Sequence, residues 1–150
     1  MSRHKTDILI IGTGLAGITA AITAAKSGKK ITILTKTKTI ASGNTLQAQG
    51  GIVYKGIKDT PKKLKNDILN AGAGHCWEEA VEQLCQYGPK LVKNFLIDTL
   101  QVPFDKEKET KELKRATEAA HTSPRVLYRA DKTGKSIQAS ALEHLKSLKN

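Results

Sequence analysis

A chain of 150 residues, 39% hydrophobic and 26% charged, has the composition of a folded domain rather than of a disordered segment. No apolar run approaches the ~18 residues that a membrane helix needs, and the short run near the start leads into a glycine turn, so we expect a cytosolic protein without a membrane partner. The net charge of +11 accompanies scattered lysines and few aromatic residues, which favours a solvated basic surface over a nucleic acid partner.

The first predicted elements form a βαβ unit over residues 5–36. Residues 7–12 read DILIIG, an apolar run ended by glycine that is typical of a parallel strand covered on both faces. A helix over residues 14–27 follows, and Gly28 stands at the usual position after a helix end. Residues 30–35 form the second strand, parallel to the first because the crossover passes through the helix.

Three helices are predicted between residues 60 and 101. The first begins at Thr60-Pro61, where a hydroxyl cap precedes a proline. The second begins near Trp77, and Gly88-Pro89 interrupts the pattern before the third. The two cysteines, Cys76 and Cys85, have neither redox-pair nor zinc spacing, so we expect reduced thiols and no metal.

The last part of the chain alternates polar and ordered segments. Residues 105–115 are a charged connection, residues 125–128 (RVLY) a short extended piece, and residues 135–148 a final helix. Only two core strands are predicted, and a two-stranded sheet is marginal alone. We therefore expect an α/β fold with an incomplete parallel sheet and several helices, the front part of something larger.

The turn GTGLAG, from Gly12 to Gly17, predicts a dinucleotide site because it follows a strand and opens a helix. Gly12 permits the turn, Gly14 lets the backbone approach a pyrophosphate, and Gly17 allows helix and strand to pack closely. Lys36 stands near the position where an acidic residue would hold the ribose of NAD. That disfavours NAD, suggests an NADP phosphate and leaves the identity of the dinucleotide open.

A polar segment, SGNTLQAQGG, follows the second strand at residues 42–51. With GTGLAG and LTK (residues 34–36) it resembles the flavoprotein family of fumarate reductases, succinate dehydrogenases and L-aspartate oxidases. The resemblance implies the N-terminal part of an FAD-binding Rossmann-like (βαβ) domain, with a flavin-contact loop at residues 37–56. It implies non-covalent FAD, because Asn44 stands where respiratory members carry a histidine bonded to FAD. The implied cofactor contacts are Gly12, Thr13, Gly14, Leu15, Ala16, Gly17, Lys36, Asn44, Thr45, Leu46, Gln47, Ala48, Gln49, Gly50 and Gly51.

A second block, TEAAHTSPRVLYRADKTG at residues 117–134, resembles the corresponding block of the L-aspartate oxidases within that family. The resemblance makes residues 115–134 a substrate-side loop and implies three catalytic residues, Glu118, His121 and Arg125. Glu118 would recognise the α-amino group of aspartate, which succinate lacks, through a charge-assisted hydrogen bond.

The implied function is FAD-dependent oxidation of L-aspartate to iminoaspartate in NAD (quinolinate) biosynthesis. Fumarate or oxygen would accept the electrons, and quinolinate synthase is a candidate partner. Family members are longer, and their arginine base lies beyond the matching segment. We therefore expect residues 1–150 to be a single partial domain that is inactive alone and binds FAD weakly or not at all.

Three other interpretations remain open on the sequence. The nearest is a fumarate reductase- or succinate dehydrogenase-like flavoprotein fragment. Lys36 suggests an NADPH-dependent reductase fragment, and the basic charge suggests a non-catalytic binding module.

Overall fold

A computed structural model describes residues 3–148 of the chain. Its elements, in chain order, are β1 (Ile8–Ile11), α1 (Leu15–Ala25), β2 (Ile31–Leu34), α2 (Asn44–Gln47), β3 (Ile52–Val53), α3 (Pro61–Gly72), α4 (Glu78–Leu91), a π-helix (Val92–Thr99), β4 (Val126–Leu127) and α5 (Thr133–Ser147). The chain divides into two compact units. The first contains residues up to Gln49 and from Gly134 onward, and the second is Gly50–Thr133. No helix within the described residues is long and apolar enough to cross a membrane.

The first unit is built on the predicted βαβ motif. β1 and β2 pair in parallel, with Ile8 opposite Ile31 and Ile11 opposite Leu34, and α1 packs on both strands. The helix buries Ile18, Ala21 and Ile22. The parallel pairing and the mixed α/β fold are therefore confirmed.

Within this unit only one face of β1 is covered, and the cover expected on its other face stays a prediction. Leu9 and Ile11 of β1 are 52% and 82% exposed. The helix α1 packs on the opposite face, where Ile10 lies against the α1 glycine Gly17. Because successive side chains of a strand point to opposite faces, one helix covers only half of them.

The second unit pairs two short strands and packs three helical segments. β3 and β4 are antiparallel, with Ile52 opposite Leu127 and Val53 opposite Val126. β4 confirms the predicted extended piece, whereas β3 and the short helix α2 were not foreseen in the loop at residues 37–56. The helical core consists of Leu64, Val81 and Cys85, with Val53, Ile68, Leu69 and Cys76 packed against it.

The start of α3 follows the predicted chemistry. Pro61 is its first residue, and the Thr60 side chain accepts a hydrogen bond of 3.2 Å from the backbone N–H of Lys63. This bond satisfies one of the N–H groups that lack a partner at a helix start. Both cysteines are free thiols, as predicted, and Cys85 is buried.

The predicted interruption at Gly88-Pro89 was wrong. α4 runs through Pro89 to Leu91 and continues as the π-helix. Buried side chains continue on both sides of the proline, with Val81 and Cys85 before it and Val92 and Leu96 after it. Burial of these side chains outweighs the free-energy cost of a proline inside the helix. The wider π-turns follow directly after the proline.

Candidate functional site

The glycine turn of the first unit has the mechanics that the motif predicts. Gly12 has a φ of 116°, a conformation that residues with a side chain rarely adopt. A Cβ on Gly17 would collide with the carbonyl oxygen of Gly12, so α1 can lie this close to the turn only with glycine at that position. The predicted roles of Gly12 in turning and of Gly17 in close packing are confirmed.

Gly14 differs from these two glycines because the fold does not require it. Its φ is −72°, which any residue can adopt, and a Cβ there would meet Thr45 Oγ1 at an ordinary 3.6 Å. A methyl group would instead fill the space in front of the backbone at the start of α1. That open space, beside the positive end of an 11-residue helix, fits the pyrophosphate of a dinucleotide.

Side chains from α2 and α5 hold this turn in place. Thr45 Oγ1 accepts a hydrogen bond of 3.1 Å from the first N–H of α1, that of Leu15. Gln138 is buried in α5, and its Nε2 donates to the carbonyl oxygens of Thr13 at 3.1 Å and Ser42 at 3.4 Å. Gln138 was missed by the sequence analysis, although a glutamine beside the core position Ile137 is a recognisable signal.

The other predicted cofactor residues of the first unit lie around this turn with different exposure. Thr13 is buried, Leu15, Thr45 and Leu46 are half-buried, and Ala16 is exposed. The exposed remainder comprises Lys36, Asn44, Gln47, Ala48 and Gln49. Their contacts with a cofactor stay predictions.

In the second unit, Gly50 and Gly51 have separate reasons to be glycine. A Cβ on Gly51 would collide with Val126 and would lie 2.5 Å from the carbonyl oxygen of Leu127, so packing against β4 requires glycine there. The cofactor contact that the resemblance implied for Gly51 stays a prediction. A Cβ on Gly50 would meet only the flexible end of Glu118, with Oε1 at 3.3 Å.

The three predicted catalytic residues have different environments. Glu118 is exposed and His121 half-buried, and the His121 N–H donates to the Glu118 carbonyl oxygen at 2.9 Å, which closes the turn between them. Arg125, immediately before β4, has a side chain that is 0% exposed. Protein groups surround its guanidinium on the sides that the structure describes. A direct contact of Arg125 with substrate stays a prediction.

Two carboxylates that the sequence analysis missed enclose this guanidinium. Asp59 accepts from Nε at 2.6 Å and from Nη2 at 2.9 Å, and Asp67 accepts from Nη1 at 2.5 Å. Nη1 also lies 3.1 Å from Nδ1 of His121. The available signal was Asp67 itself, a carboxylate one turn after Leu64 on the buried face of α3.

The pKa shifts in this cluster favour charged groups throughout. The backbone N–H of Thr122 and then the Arg125 guanidinium lower the pKa of Asp67 to about 2. Burial alone raises the pKa of Asp59, but hydrogen bonds from Arg125 and the Gly56 N–H more than offset it, so that this pKa is lowered. The hydrogen bond to Asp59 contributes most to raising the pKa of Arg125. Two carboxylates and one guanidinium are therefore ionised at neutral pH.

Comparison with known proteins identifies the family and the cofactor. Residues 7–149 match the family described as FAD binding domain. The chain belongs to this family. Its cofactor is accordingly FAD. The identity of the dinucleotide, which Lys36 left open, is thus decided against NADP.

The chain also resembles several longer proteins. The chain is 41% identical over 145 residues to L-aspartate oxidase of Halobacterium salinarum, a match that covers 97% of the chain and 28% of the relative. It is 37% identical over 142 residues to L-aspartate oxidase of Vibrio cholerae, covering 91% and 26%. The Mycobacterium smegmatis Sdh1 complex in the apo form superposes with a TM-score of 0.85 at 26% identity, over 96% of the chain and 24% of its counterpart. The chain thus spans about a quarter of the length of these proteins.

Proposed function

We propose that this chain is the FAD-binding part of an enzyme that oxidises L-aspartate to iminoaspartate. The observation that carries the proposal is the position of Glu118, whose exposed carboxylate lies beside Gly50 in the segment implied to contact the flavin. The similarity to L-aspartate oxidases over nearly the whole chain supports it.

On the cofactor side, the chain contributes open backbone and helix amides. Gly14 leaves room for the pyrophosphate, and the first turn of α1 offers the phosphate oxygens the N–H groups that follow Leu15, whose own N–H is bonded to Thr45. Asn44 has an amide side chain, which does not form a covalent bond with a flavin, so FAD binds non-covalently. When bound, FAD supplies the hydride acceptor for the substrate Cα–H bond.

On the substrate side, Glu118 pairs with the α-ammonium group of aspartate, and His121 offers a polar group from the same turn. A carboxylate facing an ammonium group forms a charge-assisted hydrogen bond, stronger than one between neutral groups. Succinate and fumarate have no ammonium group, so Glu118 favours aspartate over both. The physiological role would be the supply of the imine for quinolinate formation, with fumarate or oxygen reoxidising the flavin.

The proposal is tested with a hybrid enzyme in which this chain replaces the matching segment of the Halobacterium salinarum relative. We expect the hybrid to bind FAD and to oxidise L-aspartate. Glu118→Gln should keep the flavin but lower kcat/KM for aspartate about 10- to 100-fold, the loss expected for a hydrogen bond to a charged group. The chain alone, supplied with FAD, is expected not to turn over aspartate.

The matched control is Glu109→Gln, the same chemical change on an exposed glutamate of the charged connection. It should leave kcat/KM unchanged. A hybrid that oxidises aspartate equally well with Glu118→Gln would contradict the role of Glu118. A hybrid that binds FAD and oxidises succinate in preference to aspartate would support the fumarate reductase-like alternative.

A further inference from the structure

The contact between Arg125 and His121 determines which nitrogen of the imidazole carries its proton. Nη1 of Arg125 lies 3.1 Å from Nδ1 of His121. A guanidinium group has N–H donors and no acceptor, so Nδ1 must accept the hydrogen bond with its lone pair. A neutral imidazole carries one N–H, which must then be on Nε2.

The position of the guanidinium is fixed from several directions at once. Asp59 binds Nε and Nη2 in a bidentate pair, and Asp67 binds Nη1, the nitrogen that also faces the imidazole. Such planar pairing gives direction as well as energy. Because the Arg125 side chain is fully buried, water does not compete for its donors.

The backbone that carries His121 is tied to the same carboxylate. Oδ2 of Asp67 accepts hydrogen bonds of 3.0 Å from both the N–H and the hydroxyl of Thr122, the next residue. Asp67 therefore holds the His121 ring through Arg125 and the His121 backbone through Thr122. The ring is thus restrained on its Nδ1 side and the adjoining backbone is held as well, while His121 as a whole is half-buried.

We propose that Arg125 is a positioning residue that sets the tautomer of His121, and that Asp59 and Asp67 hold Arg125 in place. Nδ1 is the acceptor engaged by Arg125, and Nε2–H is the donor left for a ligand. A neutral N–H donor suits a carboxylate of an anionic substrate. This last step rests on the proposed function, whereas the tautomer of His121 does not.

The test is nitrogen NMR of the whole chain labelled with ¹⁵N-histidine, at about pH 8, well above the ordinary imidazole pKa of about 6.5. His121 is assigned by the loss of its signals in His121→Gln. We expect its Nε2 to be protonated and its Nδ1 to resonate as a hydrogen-bonded acceptor. A protonated Nδ1 in the wild-type chain would overturn the proposal, whatever substrate the enzyme uses.

Arg125→Lys provides the second comparison. A lysine ammonium has three N–H donors on one nitrogen and lacks the planar fork of separate nitrogens with which Arg125 reaches Asp59, Asp67 and His121 at once. We expect the Nδ1 signal to move toward that of free histidine and a second tautomer to appear, while the signals of His144 in the first unit stay unchanged. An unchanged Nδ1 signal in a folded Arg125→Lys chain would also overturn the proposal.

A further variant covers the case in which Arg125→Lys does not fold. Asp59→Asn keeps the guanidinium but weakens its bidentate anchor, so the Nδ1 signal should shift in the same direction by less. Folding is judged from the amide spectrum. No shift in a folded Asp59→Asn chain would show that Asp59 does not hold Arg125 against His121.

Discussion

Gly14 and Gly17 lie three residues apart in one turn, yet a methyl group has different consequences at each. At Gly17 it would collide with the Gly12 carbonyl oxygen, within the fold itself. At Gly14 the nearest atom, Thr45 Oγ1, is 3.6 Å from the Cβ position. Packing therefore requires glycine at position 17, whereas the packing of the described residues does not require it at position 14.

This difference predicts that Gly14→Ala separates cofactor binding from folding. In the hybrid enzyme, the thermal transition of the apoprotein should be unchanged, while the Kd for FAD should rise about tenfold or more, since the methyl group fills the phosphate space. The measurements are calorimetry and flavin fluorescence. Gly17→Ala is the contrasting variant, in which the apoprotein itself should lose stability. Wild-type FAD affinity in Gly14→Ala would remove the turn from the cofactor site.

At the scale of the element, α4 shows how a helix tolerates a proline. Pro89 has no N–H for the carbonyl oxygen of Cys85, four residues before it, yet the helix continues through it. The π-helix that follows pairs residues five apart, as in the bond of 2.8 Å from the Leu100 N–H to the Phe95 carbonyl oxygen. The rule that a proline ends a helix fails here because buried side chains continue on the same helix beyond Pro89.

Replacing this proline should therefore stabilise the second unit. Pro89→Ala restores an N–H donor to α4 and removes the steric conflict between the proline ring and the preceding helical turn. We expect this to raise the free energy of unfolding by about 1–3 kcal/mol. Thermal and urea unfolding followed by circular dichroism measure the change. Lys90→Ala, an exposed neighbour in the same helix, should change stability by less than about 0.5 kcal/mol. A less stable Pro89→Ala chain would mean that the proline ring stabilises this helix.

At the scale of the molecule, the two units depend on different interactions. The first relies on apolar packing of α1 against β1 and β2, with hydrogen bonds from Thr45 and Gln138. The second adds a buried ionic cluster that ties β4 to α3 through Arg125 and Asp67. Removing one member of a buried ion pair leaves the other charge uncompensated, so this cluster makes the second unit sensitive to pH.

Acid should destabilise the second unit between about pH 4 and pH 2. The pKa of Asp67 is lowered from 3.8 to about 2 in the folded chain, so its contribution is present above about pH 4 and is lost as the pH falls through the folded-state value. Asp67→Asn should lower the thermal midpoint at neutral pH and flatten this part of the pH profile. Asp98→Asn, which removes an exposed pair with Lys93, should do neither. An equally steep profile in Asp67→Asn would assign the acid sensitivity to other carboxylates.

The sequence by itself determined the features that depend on neighbours along the chain. The βαβ motif, the turn at Gly12 to Gly17 and the Thr60 cap follow from residue types a few positions apart, and the structure confirms each one. The family resemblance also pointed to FAD, which the match over residues 7–149 shows.

Only the tertiary structure decided which distant groups meet. Arg125 pairs with Asp59 across 66 residues and with Asp67 across 58, and no local pattern encodes those partners. The same holds for Gly51, whose missing side chain makes room for β4, and for β1, whose exposed face depends on what packs there. Local preferences select the elements, because they act through a few bonds of the backbone. Long-range packing selects the partners, because it acts only once the chain has folded.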